Sequence, residues 1–495
     1  MPIPEFPAKN LAQFNPSLFT KNVLITGVKL NAQSVKRGDL FIALPGNKNH
    51  GLDFANQAIE NGAAAILSDR AQQEVDVKVP HFVTPNPRSL VGEISAWFYG
   101  SPFQSLVAVG ITGTNGKTTT SNLVKQLWQL AGISSGVIGT LGIEVGSVKY
   151  ESSRTTPEAS DLQSIAAMMV EKKITHLAME VSSHALDLGR VNGAHFQVVA
   201  FSNLTQDHLD FHGDMESYYL AKAKLFSGKL SDKAVVNIDD PYGKRLHSEI
   251  KSSVITVSRQ NKEADWSYSS YKSEEDGYKV SICHKGEKVI DCDYKLLGDY
   301  NLDNLLLAVA IAFETGLTTS QIEQVIPSLQ SISGRLEKLD LGQNFNAIID
   351  YAHTPDAVDR VLKTAQLFTS GKVIAVLGCG GDRDQSKRAI MGASLLNGSD
   401  VSIFTSDNPR GESAEAILLQ MVGNNEVKSP NQVITDRKEA IAYAVSVAEQ
   451  GDTLLLLGKG HETGQEINGQ IYPFDDFLEL ENAIILKIKT QMKNK

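Results

Sequence analysis

The chain has 495 residues, 42% of them hydrophobic and 21% charged, with a formal net charge of −10. That length exceeds a single hydrophobic core, and the composition is that of a soluble globular protein of two to four domains. The acidic balance argues against a general nucleic-acid or anionic-membrane binder, and Cys283, Cys292 and Cys379, the only cysteines, show neither zinc-type spacing nor a disulfide framework. No stretch approaches the roughly 18 apolar residues of a membrane span, and the amino-terminal MPIPEFPAKN lacks a signal-peptide core. The expectation is a soluble, cytoplasmic monomer with no membrane insertion.

Residues 1–102 form a small α/β unit: a strand over Gly38–Leu44, a helical pattern over 53–68 ending in a short strand, and a helix over 88–99 stopped by Gly100-Ser101-Pro102. The second unit, 103–336, begins with the apolar run at 106–112 followed by GTNGKTTT at 113–120 and a helical pattern. Strand, glycine turn and helix make a phosphate cradle of backbone N–H groups, although the run is two residues shorter than the common phosphate loop. Gly113, Thr114, Asn115, Gly116, Lys117, Thr118 and Thr119 are therefore candidate ATP contacts, with Lys117 on the phosphates and the Thr118 hydroxyl on Mg²⁺.

Further strands are expected at 175–180, 196–202 and 233–238, alternating with helices in a largely parallel sheet. Residues 266–296 alternate in an antiparallel pattern, and 299–330 is helical. Glu180, at a strand end beside the phosphate loop, is placed to ligate or orient a metal. Asp207, His208, Asp210, His212 and Asp214 crowd into eight positions and suggest a second cation site. Lys222 and Lys224, on the following helix, have by residue chemistry alone the look of ordinary surface lysines.

The third unit, 337–495, has four apolar runs that end in polar loops: DYAHTPD from 350, GCGGDRD from 378, SDNPR from 406 and GKGHE from 458. In an open parallel sheet, ligands bind beyond the carboxyl ends of the strands, where all four loops would lie.

These segments, together with TTPE at 155–158, MEVSSHAL at 179–186, NLTQDHLDFHGDMESYYLAK at 203–222, LLGDYNLDN at 296–304 and SGRLE at 333–337, resemble the Mur ligases in their order and spacing. Within that family the likeness is to members that add the third amino acid of the peptidoglycan stem. The resemblance implies a small α/β amino-terminal domain for a UDP-sugar, a central P-loop ATPase-like domain, and a carboxyl-terminal Rossmann-like domain for the incoming amino acid. It implies a reaction in which ATP converts a carboxylate of UDP-N-acetylmuramoyl-dipeptide to an acyl phosphate that an amine then attacks.

Carried over motif by motif, Lys117, Glu180, His208 and Lys222 are implied as catalytic, with Thr118, Glu180, His208 and Lys222 at Mg²⁺. Lys222 is implied to carry a CO₂-derived carbamate (N6-carboxylysine), and Lys224 to stay on the surface. Asn304, Arg335, Asp350 and His353 are implied near ATP. Leu30, Ala32, Thr155, Thr156, Ser182 and Arg190 are implied at the UDP substrate. Arg388, Asp407, Asn408, Pro409, Arg410, Gly458 and Glu462 are implied at the amino acid. The arginine in DNPR favours meso-diaminopimelate over lysine, because a guanidinium takes the extra carboxylate bidentately and repels an ammonium. The chain departs from the usual pattern at Asn31-Ala32-Gln33, Arg154, Leu188 and Tyr300. The competing readings are a lysine-adding relative and, from a different class, a nucleotide-driven switch.

Overall fold

The computed structural model describes residues 5–46, 49–70, 78–152, 154–250, 253–274 and 277–493, so Met1–Pro4 and the pair 275–276 of the expected antiparallel stretch lie outside it. Three sheets organise the chain. The first has four parallel strands in sequence order, β1 (Gly27–Lys29), β2 (Asp39–Ile42), β3 (Ala65–Ser68) and β4 (His81–Val83). The segment 53–68 ends in the expected short strand, β3, but its helical part is brief: a 3-10 turn at Gly51–Phe54 leads into an α-helix of only Ala55–Glu60. Helix α1 (Pro87–Tyr99) starts where the Asn86 side chain accepts from the Ser89 N–H, carries proline at its first position, and stops at Gly100 with φ 79°.

The central sheet has eleven strands. In chain order it contributes β5 (Val107–Thr112), helix α2 (Lys117–Leu130), β6 (Ser135–Gly139), β7 (Gly142–Val145), β8 (Val148–Tyr150), helix α3 (Ala159–Glu171), β9 (His176–Glu180), β10 (Phe196–Phe201), helix α4 (Met215–Ala223), β11 (Ser231–Asn237), β12 (Ser253–Ser258), β13 (Trp266–Glu274), β14 (Gly277–His284), β15 (Glu287–Tyr294) and helix α5 (Asp299–Glu314). The spatial order is β8-β7-β6-β9-β5-β10-β11-β12-β13-β14-β15, and β6 to β13 run parallel apart from the β7-β8 hairpin on one edge. The expected antiparallel strands β13 to β15 extend this same sheet instead of forming a separate one. Helix α5 is apolar all round over Leu305–Ala312 and wholly enclosed, packed with Leu123, Leu127 and Trp128 of α2 in one core.

The third sheet follows with β16 (Glu337–Leu339), β17 (Asn346–Asp350), helix α6 (Pro355–Phe368), β18 (Val373–Leu377), helix α7 (Ser386–Gly398), β19 (Val401–Phe404), helix α8 (Ala414–Val422), β20 (Gln432–Val433), helix α9 (Arg437–Val447) and β21 (Thr453–Leu457). A hairpin of β22 (Gly464–Ile467) and β23 (Gln470–Pro473) and the helix α10 (Asp476–Lys493) complete it. The order is β16-β17-β21-β18-β19-β20. Asp350 is in register with Leu457, and Leu457 with Leu377, which pairs with Phe404. All four polar loops therefore leave the same carboxyl edge, as the strand rule requires. No helix among the described residues is long and apolar enough to cross a membrane.

Candidate active site

Strands β9 and β10 flank β5, with Glu180 level with Ile111 and Phe201 level with Thr112. Glu180 and the Ser202-Asn203 segment are thereby set on either side of the phosphate loop. Gly113, at φ 149°, could not carry a side chain, because a Cβ there would lie 1.9 Å from Ser202 Oγ. Gly116, at φ 85°, opens α2 in the left-handed region and faces the Asn304 amide oxygen, which a Cβ would meet at 2.4 Å.

Thr118 Oγ1 donates to Glu180 Oε2 at 3.0 Å, and the other carboxylate oxygen accepts the Thr140 N–H at 2.8 Å. Arg335 reaches across from the end of the second unit: its Nη2 donates to Thr118 Oγ1 at 3.1 Å, while its buried Nε has no partner. Lys117 Nζ is folded back onto the carbonyls of Gly113 (2.9 Å) and Thr114 (2.7 Å). Lys222, 1% exposed, donates to the same Gly113 carbonyl at 2.8 Å and otherwise faces the Tyr218 ring. Burial first, then the positive charge of Lys117, pushes the Lys222 amine well below the usual lysine range. The surface position expected from its chemistry is thus corrected: Lys222 is interior, whereas Lys224 is exposed and pairs with Asp187 at 2.5 Å.

The five acidic and histidine residues at 207–214 do not assemble as a second cation site. Asp214 caps α4, His212 hydrogen-bonds Ser183 Oγ at 2.9 Å, and Asp210 is exposed. Asp207 pairs with His208 at 3.5 Å and with Lys387 at 3.4 Å. Burial alone would raise Asp207, but Lys387 and the two imidazoles of His208 and His353 hold it below the carboxylate range. Among the described residues no group of three or more His, Cys, Asp and Glu side chains is arranged to hold a metal ion. The donors at Thr118, Glu180 and His208 fit Mg²⁺ all the same, since that ion keeps waters and phosphate oxygens in its shell and seldom takes an all-protein cage.

Two cavities meet at the phosphate loop. One, of about 480 Å³, is lined by Asn115, Gly116, Thr119, Asn304, Arg335, Asp350 and His353, a size suited to a nucleoside. Asp350 is turned inward, accepting the Leu336 and Ala352 N–H groups at 2.7 and 2.8 Å. Burial pushes the His353 imidazole down to about 4, so it is neutral at pH 7. The second cavity, of about 290 Å³, unites Lys117, Thr118, Thr155, Glu180, Ser182, His208 and Lys222 with Asp407, Asn408, Arg410, Gly458 and Glu462. Two units of the chain thus share one cleft.

Several expected residues are not in it. Thr156 is 1% exposed and spends its hydroxyl on the Glu180 carbonyl at 2.9 Å, bracing the strand end. Arg190 is paired with Glu158 at 2.9 Å. Leu30 packs on the first sheet's core, and Ala32 is buried beside Val35 and Phe41, while Asn31 turns its side chain onto the Gln33 N–H. Pro409 lines neither cavity and belongs to the turn that presents Arg410.

Arg388 is the clearest correction. It is 0% exposed, with its guanidinium committed to Glu412 (2.7 and 2.8 Å), Gln420 (2.8 Å) and the Gly380 carbonyl (3.2 Å). It does not line the cleft, and its buried Nε has no partner. Arg383, on the loop before α7, lines the cleft instead, and so do Lys387 and Asp384. Sequence reasoning missed them, although the charge-dense run DRDQSKR contained the signal.

Arg410 sits in the left-handed region at φ 52°. Its N–H donates to the Glu466 carbonyl and its own carbonyl accepts from Asn468, so the β22-β23 hairpin holds the conformation. Its side chain donates to the Gly381 carbonyl at 2.8 Å and pairs with Glu466 at 3.2 Å.

Comparison with known proteins agrees with this geometry. Residues 24–99 match the Mur ligase family catalytic domain, 111–312 the Mur ligase middle domain, and 334–460 the Mur ligase glutamate ligase domain. A protein of Streptomyces coelicolor named UDP-N-acetylmuramoyl-L-alanyl-D-glutamate--2,6-diaminopimelate ligase is 44% identical over 469 residues, covering 93% of this chain and 92% of that one. A solved structure of the same name superposes with a TM-score of 0.69 at 31% identity, covering 97% of this chain and 99% of that one. The MurF ligase of Thermotoga maritima in complex with ADP shares the fold, with a TM-score of 0.64 at 17% identity over 94% of this chain and 98% of that one. Matched across its three larger sheets, the chain belongs to the Mur ligase family of ATP-dependent, amide-forming ligases.

Proposed function

We propose that the protein joins meso-diaminopimelate to UDP-N-acetylmuramoyl-L-alanyl-D-glutamate at the expense of ATP, a step of peptidoglycan precursor synthesis. The observation that carries the reading is the shared cleft, in which the phosphate-loop residues Lys117 and Thr118 face Arg410, Asn408 and Glu462. In this reading residues 1–102 serve the UDP-sugar, 103–336 the nucleotide and 337–495 the amino acid.

A carboxylate and an amine do not condense in water, because oxide is too poor a leaving group. Lys117 and Arg335 would hold the terminal phosphate of ATP while the substrate carboxylate oxygen attacks phosphorus and ADP departs. The amine nitrogen then attacks the acyl carbon, loses a proton, and inorganic phosphate leaves. Thr118, Glu180 and His208 would hold Mg²⁺, which when bound supplies positive charge to the phosphate oxygens. Asn304 and Asp350 line the nucleoside cavity; Thr155 and Ser182 would meet the dipeptide end of the UDP substrate.

Lys222 fits carbamoylation. Its ammonium has one carbonyl acceptor and shares it with the Lys117 ammonium, an arrangement unfavourable for two cations. A depressed amine is nucleophilic toward CO₂, and the resulting anion would meet Lys117 as an attractive neighbour. At the amino-acid end, Arg410 and Arg383 would receive the distal carboxylate, with Arg383 in the place expected for Arg388.

Phosphate release with ATP, Mg²⁺ and UDP-muramoyl-dipeptide tests the assignment. Release with meso-diaminopimelate and little with L-lysine is expected. Preference for lysine would keep the ligase and overturn the reading of Arg410. Release independent of any amino acid would favour a nucleotide-driven switch.

A further inference from the structure

Lys459 is a buried cation that the mechanism above does not use. It follows Gly458 at the carboxyl edge of β21, is 0% exposed, and lies behind the wall of the cleft. Its ammonium donates to three acceptors from two chain segments, the 408 loop and its own: Asn408 Oδ1 at 3.1 Å, Glu462 Oε2 at 3.3 Å and the Gly464 carbonyl at 2.7 Å. All three of its protons are therefore used. Asn408 and Glu462 line the cleft, although the lysine itself does not.

The chemistry of the donors fixes the rest. An ammonium only donates, so the Asn408 amide must turn its oxygen toward Lys459, and that oxygen also accepts the Glu466 N–H at 3.0 Å. The Asn408 nitrogen is then directed at Glu462 Oε2, to which it donates at 2.8 Å. Glu462 Oε1 is left to the Tyr351 hydroxyl at 3.3 Å and to the cleft. Without the ammonium, the Glu466 N–H would be the one donor left on the Asn408 oxygen, and Glu462 Oε2 would lose a charged donor.

We propose that Lys459 is a positioning residue: its ammonium, directly and through the Asn408 amide, holds the Glu462 carboxylate so that Oε1 receives the distal ammonium of a diamino acid. The proposal rests on the assignment of the cleft to meso-diaminopimelate.

The test compares meso-diaminopimelate with 2-aminopimelate, which has hydrogen in place of the distal amino group, using the full-length protein. In Lys459→Met the ratio of the two kcat/KM values should fall at least about ten-fold, because the groups that read the distal amine are no longer aligned. KM for ATP and for the UDP substrate should stay within about two-fold. Lys459→Gln, which keeps an amide donor, should lie between Met and the native residue. An unchanged or increased ratio, or a parallel rise in all three KM values, overturns the proposal. If the Met variant shows no cooperative melting, the ratio in the Gln variant decides; loss of folding in both makes Lys459 a folding residue and overturns it. Failure of the native protein to use meso-diaminopimelate is read from the unmodified arm, and there the substrate assignment falls, taking this proposal with it.

Discussion

Two lysines are buried at the two halves of the cleft, and their surroundings are opposite. Lys459 has three acceptors, one of them a carboxylate, and is a satisfied cation. Lys222 has one carbonyl, already taken by the Lys117 ammonium, and an aromatic face. A charge removed from water must be compensated or it neutralises. The first environment makes lysine a fixed brace; the second pushes its amine well below the usual lysine range and leaves it available for chemistry. Burial alone therefore says nothing about a lysine's role, and the acceptor count says most of it.

The largest effect should come from the uncompensated lysine. Lys222→Ala is expected to lower turnover by about 10³-fold with little change in melting temperature, and short carboxylic acids should restore part of the rate. Full activity in that variant would remove Lys222 from the chemistry. Next, Arg410→Ala should raise KM for meso-diaminopimelate by about 10²-fold while leaving KM for ATP nearly constant. Equal increases would place the arginine outside the amino-acid site.

A third substitution probes compensation where no substrate is involved. Arg437 and Asp476, both 0% exposed, form a bidentate pair at 2.6 and 2.7 Å, and Arg437 also donates to the Leu457 carbonyl at 3.0 Å just before the Gly458 loop. Asp476→Asn leaves that guanidinium short of its counter-charge and should cost about 3 kcal/mol of stability, visible in chemical denaturation. A denaturation midpoint equal to the native protein's would show the pair to be replaceable.

The smallest effect is pH dependence. Burial holds the imidazoles of His212, His353 and His461 down to about 4, below their unfolded value of 6.5. Between those values the unfolded chain binds more protons, so stability is complete above pH 6.5 and is lost as pH falls toward 4. Asp303, raised by burial to about 6, acts in the opposite sense, as do Asp39, Asp161, Asp240 and Asp350, while five further imidazoles are lowered alongside the three. The melting temperature should fall from pH 7 to pH 5, and a flat profile would contradict the lowered imidazoles of these half-buried histidines.

Much of the site was legible from local pattern. The strand, glycine turn and helix of residues 107–130 follow from an apolar run and two glycines at fixed spacing, and the four third-unit loops from strands that end in polar clusters. The edge hairpins were not: β7-β8 and β22-β23 are short, and the second is half-buried or exposed along its length, so neither imprints a strong alternation. The 53–68 pattern promised a longer helix because its apolar spacing runs on past the Asn61-Gly62 turn, where the chain leaves the helix.

Direction was the missing information for the charged groups. Lys222 and Lys224 are two residues apart at the end of one helix, which places them about 200° apart around it, one under the phosphate loop and one in solvent. Arg383 and Arg388 likewise share a run, but the first is on a loop facing the cleft and the second on α7 facing Glu412.

The sequence by itself determined the phosphate loop, the parallel rhythm of the two larger sheets and the Mur ligase motifs, because each depends on neighbours along the chain. Tertiary contacts alone settled which lysine must share its one carbonyl acceptor, which arginine lines the cleft and that Lys459 ties its own loop to Asn408. Those outcomes depend on groups brought together from distant strands, and burial and hydrogen-bond count are properties of that meeting.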